Sequence, residues 1–282
     1  MIIKKLRDFG FNTDNRTYVI AEIGINHRGS IKVAKQLIDS AARAGVDAVK
    51  FQTYLTEQRA PKGNKEVFKI LKDLELPFEA FKELKKYAEY YHLDFFSTPF
   101  DKESIEYLES IETDLYKIAS FDVVNHKLLG EVARTGKPVI MSVGMSNLEE
   151  IEKAFSILKE GTKNIAILHC ISSYPTIEND SNLSNIYKLQ DKFDCIIGQS
   201  DHTNDIKVPI YAAAAGAQII EKHFKINESF ECIDSPVSIT EVQMKKLVEE
   251  IRTLERVFGH ETFGVREVEK ETEAFRRATQ IK

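Results

Sequence analysis

Cys195-Ile-Ile-Gly-Gln-Ser-Asp-His202 and, after a helix-sized segment, Gln218-Ile-Ile-Glu-Lys-His223 decide how this chain folds. Each is a short apolar run that leads to a histidine. Such runs read as strands buried on both faces. A helix-length connection between two of them reads as a crossover joining parallel neighbours. Both histidines then emerge at the same end of the sheet. Adjacent strands lie about 4.8 Å apart, so one metal ion can touch both rings. The competing reading at this point is two satisfied polar residues at strand ends.

The same alternation runs through the rest of the chain. Further strand-like runs are Tyr18–Ile23, Ala48–Phe51, Asp94–Ser97, Leu115–Ile118, Pro138–Ser142 and Ile165–His169; with Cys195–Gln199 and Gln218–Lys222 they make eight. Helix patterns lie between them at Ile31–Ala44, Glu79–Tyr90, Glu103–Ile111, Leu148–Lys159 and Val242–Val257. The last puts Met244, Leu247, Val248, Ile251 and Leu254 on one face. Ser146-x-x-Glu149 and Ser238-x-x-Glu241 read as capping boxes. Eight βα units in about 240 residues predict an α/β fold, a (β/α)8 TIM barrel rather than an open doubly wound sheet. No Gly-x-Gly-x-x-Gly follows a strand, which speaks against dinucleotide binding. Residues 1–17, with the turn signal Asp14-Asn15, are expected to form a hairpin cap at the barrel bottom. Thr53–Leu76 is a long charged connection of the kind that covers active faces. The polar tail 259–282 shows no linker, so a single barrel domain over 1–282 is expected.

Composition narrows the function. The 282 residues are 43% hydrophobic, enough for a sizeable core. Lys plus Arg number 39 against 44 Asp plus Glu, a net charge of −5. The basic residues are scattered, which excludes a nucleic-acid footprint. Cys170, Cys195 and Cys232 are odd in number and widely spaced, so neither a disulfide framework nor a Cys-x-x-Cys metal site is expected. That usage fits a reducing cytoplasm. No signal-peptide core or membrane-length apolar stretch is present in the sequence, so no membrane partner is expected.

A barrel of this type carries its chemistry at the C-terminal strand ends. Read there, the eight strands offer Glu22 to His27, then Lys50 and Gln52, Ser97 and Thr98, and Lys117 with Ser120 and Asp122. They continue with Ser142, with Ser172, Ser173 and Tyr174, with Ser200, Asp201 and His202, and with Lys222 and His223. Lysines within near-apolar strands are costly unless they meet anions. Lysines among hydroxyls suit a small ligand that carries both phosphate and carboxylate. A metal on the two histidines would act as a Lewis acid on a carbonyl oxygen. Plainer readings stand beside these. Lys50 or Lys117 can pair structurally with Glu22 or Asp122, and Ser97, Ser120 and Ser142 can be turn residues. Tyr174-Pro175 can be loop packing, His27 can cap a turn or the first helix, and Cys170 can be an inert buried thiol.

At these residues the sequence resembles the sialic acid synthase family, which makes N-acetylneuraminate, legionaminate and pseudaminate. The matching stretches are Ala21–His27, Val49–Gln52, Ser97–Phe100, Tyr116–Ser120, Ser142–Met145, Tyr174-Pro175, Ser200–Thr203, Glu221–Phe224 and Asp234–Ser238. The resemblance implies a transferase that condenses phosphoenolpyruvate with the open-chain aldehyde of an N-acetylated hexose, with a divalent metal, usually Mn2+. It implies His202 and His223 as metal ligands. It implies Lys50, Thr98, Lys117 and Ser142 as groups that grip phosphoenolpyruvate, largely at its carboxylate, and Ser120, Ser172 and Ser200 as phosphate contacts. Glu22, Gln52, Tyr174 and Asp234 would face the acceptor or metal-bound water, with Glu22 and Asp122 as the catalytic carboxylates. A homodimer is also implied.

The sequence departs from the family pattern in three places. Asp122 stands where the family has Glu, and Ser172 where many members carry Asn. Family members also continue into an antifreeze-like domain that gives an arginine to the sugar site of the other subunit in a domain-swapped dimer. This sequence ends at Lys282, near where that linker would begin, as a truncated piece or a naturally short chain. In the short case acceptor specificity is expected from Thr53–Leu76 or from a separate chain. Rival readings are another phosphoenolpyruvate-dependent 3-deoxy-ald-2-ulosonate synthase, a Schiff-base aldolase on Lys50 or Lys117, and a non-catalytic sugar-binding subunit. The first needs spare basic residues for an acceptor phosphate, and the last has no use for a histidine pair.

Overall fold

Eight apolar runs that cannot be satisfied on an open sheet edge close on themselves. The computed structural model describes residues 16–259 and 263–277. Strands β1 (Tyr18–Gly24), β2 (Ala48–Thr53), β3 (Asp94–Pro99), β4 (Tyr116–Ile118), β5 (Val139–Ser142), β6 (Ile165–Cys170), β7 (Ile196–Asp201) and β8 (Ile219–His223) form a closed parallel barrel in sequence order. The (β/α)8 expectation holds, with strand ends moved by at most two residues. Helices α1 (Ile31–Ala44), α2 (Thr56–Arg59), α3 (Lys65–Leu74), α4 (Phe78–Tyr90), α5 (Lys102–Ser110) and α6 (His126–Arg134) come first. They are followed by α7 (Leu148–Lys159), α8 (Ser184–Lys192), α9 (Lys207–Ala214), α10 (Glu241–Phe258) and α11 (Lys270–Glu273). The periodicity reading did not mark α2, α3, α6, α8, α9 or α11. Among these, α9 is apolar nearly all round and so has no contrasted face, whereas α8 is mostly polar and buries Ile186 and Leu189.

Alternate residues of each strand point to the barrel axis and to the helices. Tyr18, Ile20, Phe96, Ile140, Leu168 and Ile219 belong to the inner cluster. Their neighbours Val19, Phe95, Met141, Ile167 and Ile220 pack in the layer beneath the helices. A Cβ at Gly198 would lie 2.4 Å from the Ile219 carbonyl oxygen and 2.6 Å from Leu168 Cδ2, so the inner wall has no room for one.

This parity corrects the ring of strand-end residues read from the sequence. Lys222, Asp201 and Ser97 occupy outward positions, one residue out of step with the inner face. Lys222 Nζ lies 2.6 Å from Asp201 Oδ2, and Ser97 Oγ meets Thr53 Oγ1 at 2.7 Å. These groups hold the wall together and do not face the ligand space.

Both capping boxes are also displaced. The working pairs are Asn147 with Glu150 on α7, and Thr240 with Gln243 on α10. Ser146 Oγ instead reaches the Gly144 carbonyl, and Ser238 Oγ donates to the Asp234 carbonyl at 2.7 Å. The i, i+3 spacing alone could not choose between overlapping pairs, since a cap also needs extended backbone at its own residue.

The long connection after β2 carries α2 and α3. It is anchored by Tyr54, whose hydroxyl donates to the Leu71 carbonyl at 3.0 Å, and by Ile25, Tyr54 and Leu71 in a small apolar cluster. Of the hairpin expected over residues 1–17, Arg16 and Thr17 alone are described, and the rest lies outside the described residues. Thr17 is tied to α10 through Glu255 and Arg252. The described part of the tail contains a 3-10 turn at Glu267–Glu269 and the short α11. Among the described residues no helix is long and apolar enough to cross a membrane.

Candidate active site

A cavity of about 280 Å³ opens at the C-terminal mouth of the barrel. Its floor is built from inward positions one step above the apolar axis. There Glu221 lies between two ammonium groups. Its Oε2 is 3.5 Å from Lys50 Nζ and its Oε1 is 3.5 Å from Lys117 Nζ, and Ser200 Oγ donates to Oε1 at 2.8 Å. Lys50 is also 3.0 Å from Glu22 Oε2 and donates to Thr98 Oγ1 at 3.3 Å. Lys117 donates to Ser142 Oγ at 2.6 Å and to the Ile118 carbonyl at 3.2 Å.

Both lysines are almost inaccessible, at 4% and 2%. Burial pulls both ammonium groups down. For Lys50 the carboxylates of Glu22 and Glu221 outweigh it and hold the group above its ordinary range. Lys117 faces chiefly Glu221, with Lys50 opposing, and stays below its ordinary range. Burial pushes Glu221 up, but Lys117 and Lys50 together hold its carboxyl well below the usual carboxylate range. The structural pairing of Lys50 with Glu22 is therefore real, whereas the partner of Lys117 is Glu221 and not Asp122.

His202 and His223 stand above this floor, with ring centroids 5.3 Å apart. Tyr174 packs against both, at 4.1 and 5.9 Å. His202 Nδ1 is 2.7 Å from the Ile171 carbonyl. A carbonyl only accepts, so Nδ1 carries the proton and Nε2 of the neutral ring keeps its lone pair. Cys170 Sγ is 3.7 Å from the same Nδ1. Burial opposes charge on both groups, yet their contact holds the thiol below and the imidazole above their ordinary ranges. His223 Nδ1 lies 3.4 Å from Asp234 Oδ2, whose carboxyl burial raises but His223 holds below its ordinary range.

Glu22 Oε2, Glu221 Oε2 and His223 Nδ1 are among the buried atoms of the lining that have no aligned hydrogen bond among the described residues. Each has a charged or ionisable neighbour at 3.0–3.5 Å. Such orphans are rare and costly. Two imidazoles, one with its Nδ1 held by a carbonyl and the other beside the Asp234 carboxylate, fit a divalent cation whose remaining positions are open to water or substrate. Among the described residues no group of three or more His, Cys, Asp or Glu side chains converges as a ligand set, so the protein's share of ligands would be small.

Glu22, Lys50, Gln52, Thr98, Lys117, Ser120, Ser142, Tyr174, Ser200, His202, His223 and Asp234 all line the cavity. Asp122 and Ser172 do not. Asp122 ends a 3-10 turn and accepts from Asn125 Nδ2 at 2.9 Å; burial raises its carboxyl. Ser172 Oγ lies 3.9 Å from Cys170 Sγ, and a Cβ on Gly144 would come within 2.3 Å of it. Gly144 is required for that close approach, and its N–H donates to Ser120 Oγ at 2.9 Å.

His27 proves structural. Its Nδ1 accepts from the Gly29 N–H at 3.2 Å, and its ring stacks on Phe51. Burial lowers it to about 4. Between the unfolded value near 6.5 and that value, the unfolded chain takes up a proton that the folded chain refuses. Stability therefore falls as pH drops through this window, by up to about 3 kcal/mol from this ring. His27→Gln should blunt that loss, read as urea midpoints at neutral pH and at about pH 4.5. An equal acid loss in both proteins would remove His27 as its source.

Three polar or ionisable lining residues were not assigned from the sequence. Glu221 and Cys170 share the inward parity of His223 and Leu168, a signal available once one inward residue per strand is known. Arg59 had a weaker signal, as the sole arginine between Arg43 and Arg134. It ends α2 and reaches over the mouth, where its Nη2 donates to Gln52 Oε1 at 2.8 Å.

A closed (β/α)8 barrel with buried lysine–carboxylate pairs and an imidazole pair gathered at its mouth defines an enzyme that carries its chemistry at the C-terminal strand ends. The chain belongs to the NeuB family, whose model matches residues 37–263. It is 36% identical over 260 residues to the N,N'-diacetyllegionaminic acid synthase of Campylobacter jejuni, covering 86% of this chain and 78% of that one. It is 34% identical over 263 residues to the pseudaminic acid synthase of the same organism, with 88% and 77% covered. The crystal structure of N-acetylneuraminic acid (sialic acid) synthetase from Leptospira borgpetersenii in complex with citrate superposes with a TM-score of 0.89 at 38% identity, covering 95% of this chain and 93% of that one. The protein is thus an enzyme of the sialic acid synthase type.

Proposed function

We propose that this enzyme condenses phosphoenolpyruvate with the aldehyde of an N-acetylated hexose of the N-acetylmannosamine kind, giving a nonulosonic acid and inorganic phosphate. The observation that carries this reading is the buried Lys50–Glu221–Lys117 array beneath the His202–His223 pair in one cavity. An anionic donor needs fixed cations and hydroxyl donors, and Lys50, Lys117, Thr98 and Ser142 supply them at the floor. Ser120 and Ser200 offer further hydroxyls toward a phosphate.

In the reaction the enol carbon of the donor bonds to the aldehyde carbon. Water adds at the phosphate-bearing carbon, and the bond from that carbon to the phosphate oxygen breaks. One donor, one aldehyde and one water give the 2-oxo acid and phosphate. The water gives up both of its protons as its oxygen becomes the new carbonyl, one balancing the proton gained by the aldehyde oxygen and the other leaving on the phosphate. Glu22 is the carboxylate suited to carry protons there, because Gln52 Nε2 holds its Oε1 at 3.1 Å and Lys50 faces its Oε2. A divalent metal, Mn2+ on this reading, would be held by His202 and His223 and would polarise the aldehyde oxygen.

A phosphate-release assay with phosphoenolpyruvate and a panel of hexoses tests this. N-acetylmannosamine and 6-deoxy diacetamido hexoses are expected to release phosphate, and erythrose 4-phosphate and arabinose 5-phosphate are not. Turnover confined to the phosphorylated aldoses would move the enzyme to another synthase class. Inactivation by borohydride with pyruvate would instead point to a Schiff base on Lys117 or Lys50.

A further inference from the structure

Arg59 is held in place yet keeps an unused donor. Its guanidinium carbon lies 4.4 Å from the Tyr54 ring centroid and 4.0 Å from that of Phe100. Nη2 is committed to Gln52, whereas Nη1 is buried with no hydrogen-bond partner among the described residues. A planar guanidinium stacked on aromatic rings is pre-organised for a directed contact rather than for screening loose charge. The side chain lines the same cavity as the imidazole pair, on the mouth side.

The charges around Arg59 limit what Nη1 can meet. Asp234, Asp122 and Glu22 all act on it electrostatically. Asp234 lines the cavity beside Arg59 and Asp122 acts on it from outside the lining, so this end of the cavity is acidic, whereas the buried ammonium groups of Lys50 and Lys117 lie at the floor. A phosphate dianion is therefore disfavoured at the mouth. A neutral acceptor oxygen, such as an amide carbonyl or a hydroxyl, matches the unengaged Nη1 donor.

We propose that Arg59 is the acceptor-recognition residue of this enzyme, with Nη1 donating to a carbonyl or hydroxyl oxygen of a neutral N-acylated sugar. This rests on the reading of the cavity given above. The same residue links binding to orientation. Arg59 takes up the Gln52 carbonyl oxygen, which turns the Gln52 amide N–H toward Glu22 Oε1. An acceptor seated on Nη1 thus meets a Glu22 already fixed in position.

The test is steady-state kinetics of the full chain, wild type against Arg59→Gln and Arg59→Lys, with phosphoenolpyruvate and N-acetylmannosamine, backed by saturation-transfer NMR of sugar binding. Both variants should raise the sugar KM by at least about tenfold, because neither supplies two fixed N–H groups. The phosphoenolpyruvate KM should change by less than about twofold, since the donor site is built from other residues. Wild type should prefer N-acetylmannosamine to its 6-phosphate. An unchanged sugar KM in Arg59→Gln overturns the assignment while leaving the proposed reaction intact. A parallel rise in both KM values also overturns it, since that is what a merely structural clamp on α2 would give. If wild type turns over no N-acetylated hexose, the reaction fails, and loss of the NMR signal in Arg59→Gln alone still supports the contact. No sugar signal in wild type removes both.

Discussion

Replacing either His202 or His223 by alanine is expected to lower phosphate release by about a thousandfold or more, because a Lewis acid on a carbonyl contributes several kcal/mol to the barrier. Neither ring packs in an apolar layer, so the barrel should melt within a few degrees of wild type. His202 stands just past the end of β7 and His223 at the end of β8, and each has its Nδ1 side facing a partner, Ile171 or Asp234. With one ring gone, the other cannot hold a divalent ion alone. Exhaustive chelation of wild type should give the same loss, and Mn2+ should restore activity to wild type but not to the variants. Titration calorimetry should find one Mn2+ per wild-type chain and none in the double variant. Full turnover in either single variant, or activity indifferent to chelation, would sink the metal assignment.

The second large effect concerns Glu221. Glu221→Leu is expected to destabilise the fold by about 3–5 kcal/mol, because it leaves Lys117 buried without a carboxylate. Lys50 keeps Glu22 at 3.0 Å, whereas Lys117 keeps only neutral oxygens of Ser142 and Ile118. The loss should appear as a fall in melting temperature of roughly 10 °C. Its pH dependence has a definite sign. Burial already holds the folded Lys117 below its ordinary value, and the variant deepens that shift. Between the folded and unfolded values the unfolded chain binds the extra proton, so the variant should regain stability as pH rises. Glu221→Gln should cost less, since its amide oxygen still accepts from Ser200. Urea unfolding at neutral pH and at about pH 9 reads both effects. A loss under about 1 kcal/mol, or one that ignores pH, would mean that Glu221 does not compensate Lys117.

Much of this site lay open in the sequence because a barrel converts strand order into geometry. Once eight apolar runs alternate with helices, residues just past each run share one mouth, and Lys50, Thr98, Lys117, Ser142, His202 and His223 could be gathered without coordinates. What misled was the two-residue period. Lys222 and Glu221 are adjacent, both charged and both buried, yet one turns outward to Asp201 and the other to the ligand space. The capping serines failed for a related reason, because overlapping pairs share the same spacing and backbone conformation chooses between them.

The sequence by itself determined the barrel, its strand order and the end at which its polar residues collect, since these follow from hydrophobic periodicity and chain connectivity. Only the tertiary structure decided which charges meet. Glu221 lies between two lysines distant from each other in sequence, and Arg59 is drawn over the mouth by Tyr54 and Phe100 from a single helical turn with no periodic signature. Such contacts depend on the closure of the barrel and on side-chain direction, and neither is encoded in local sequence spacing.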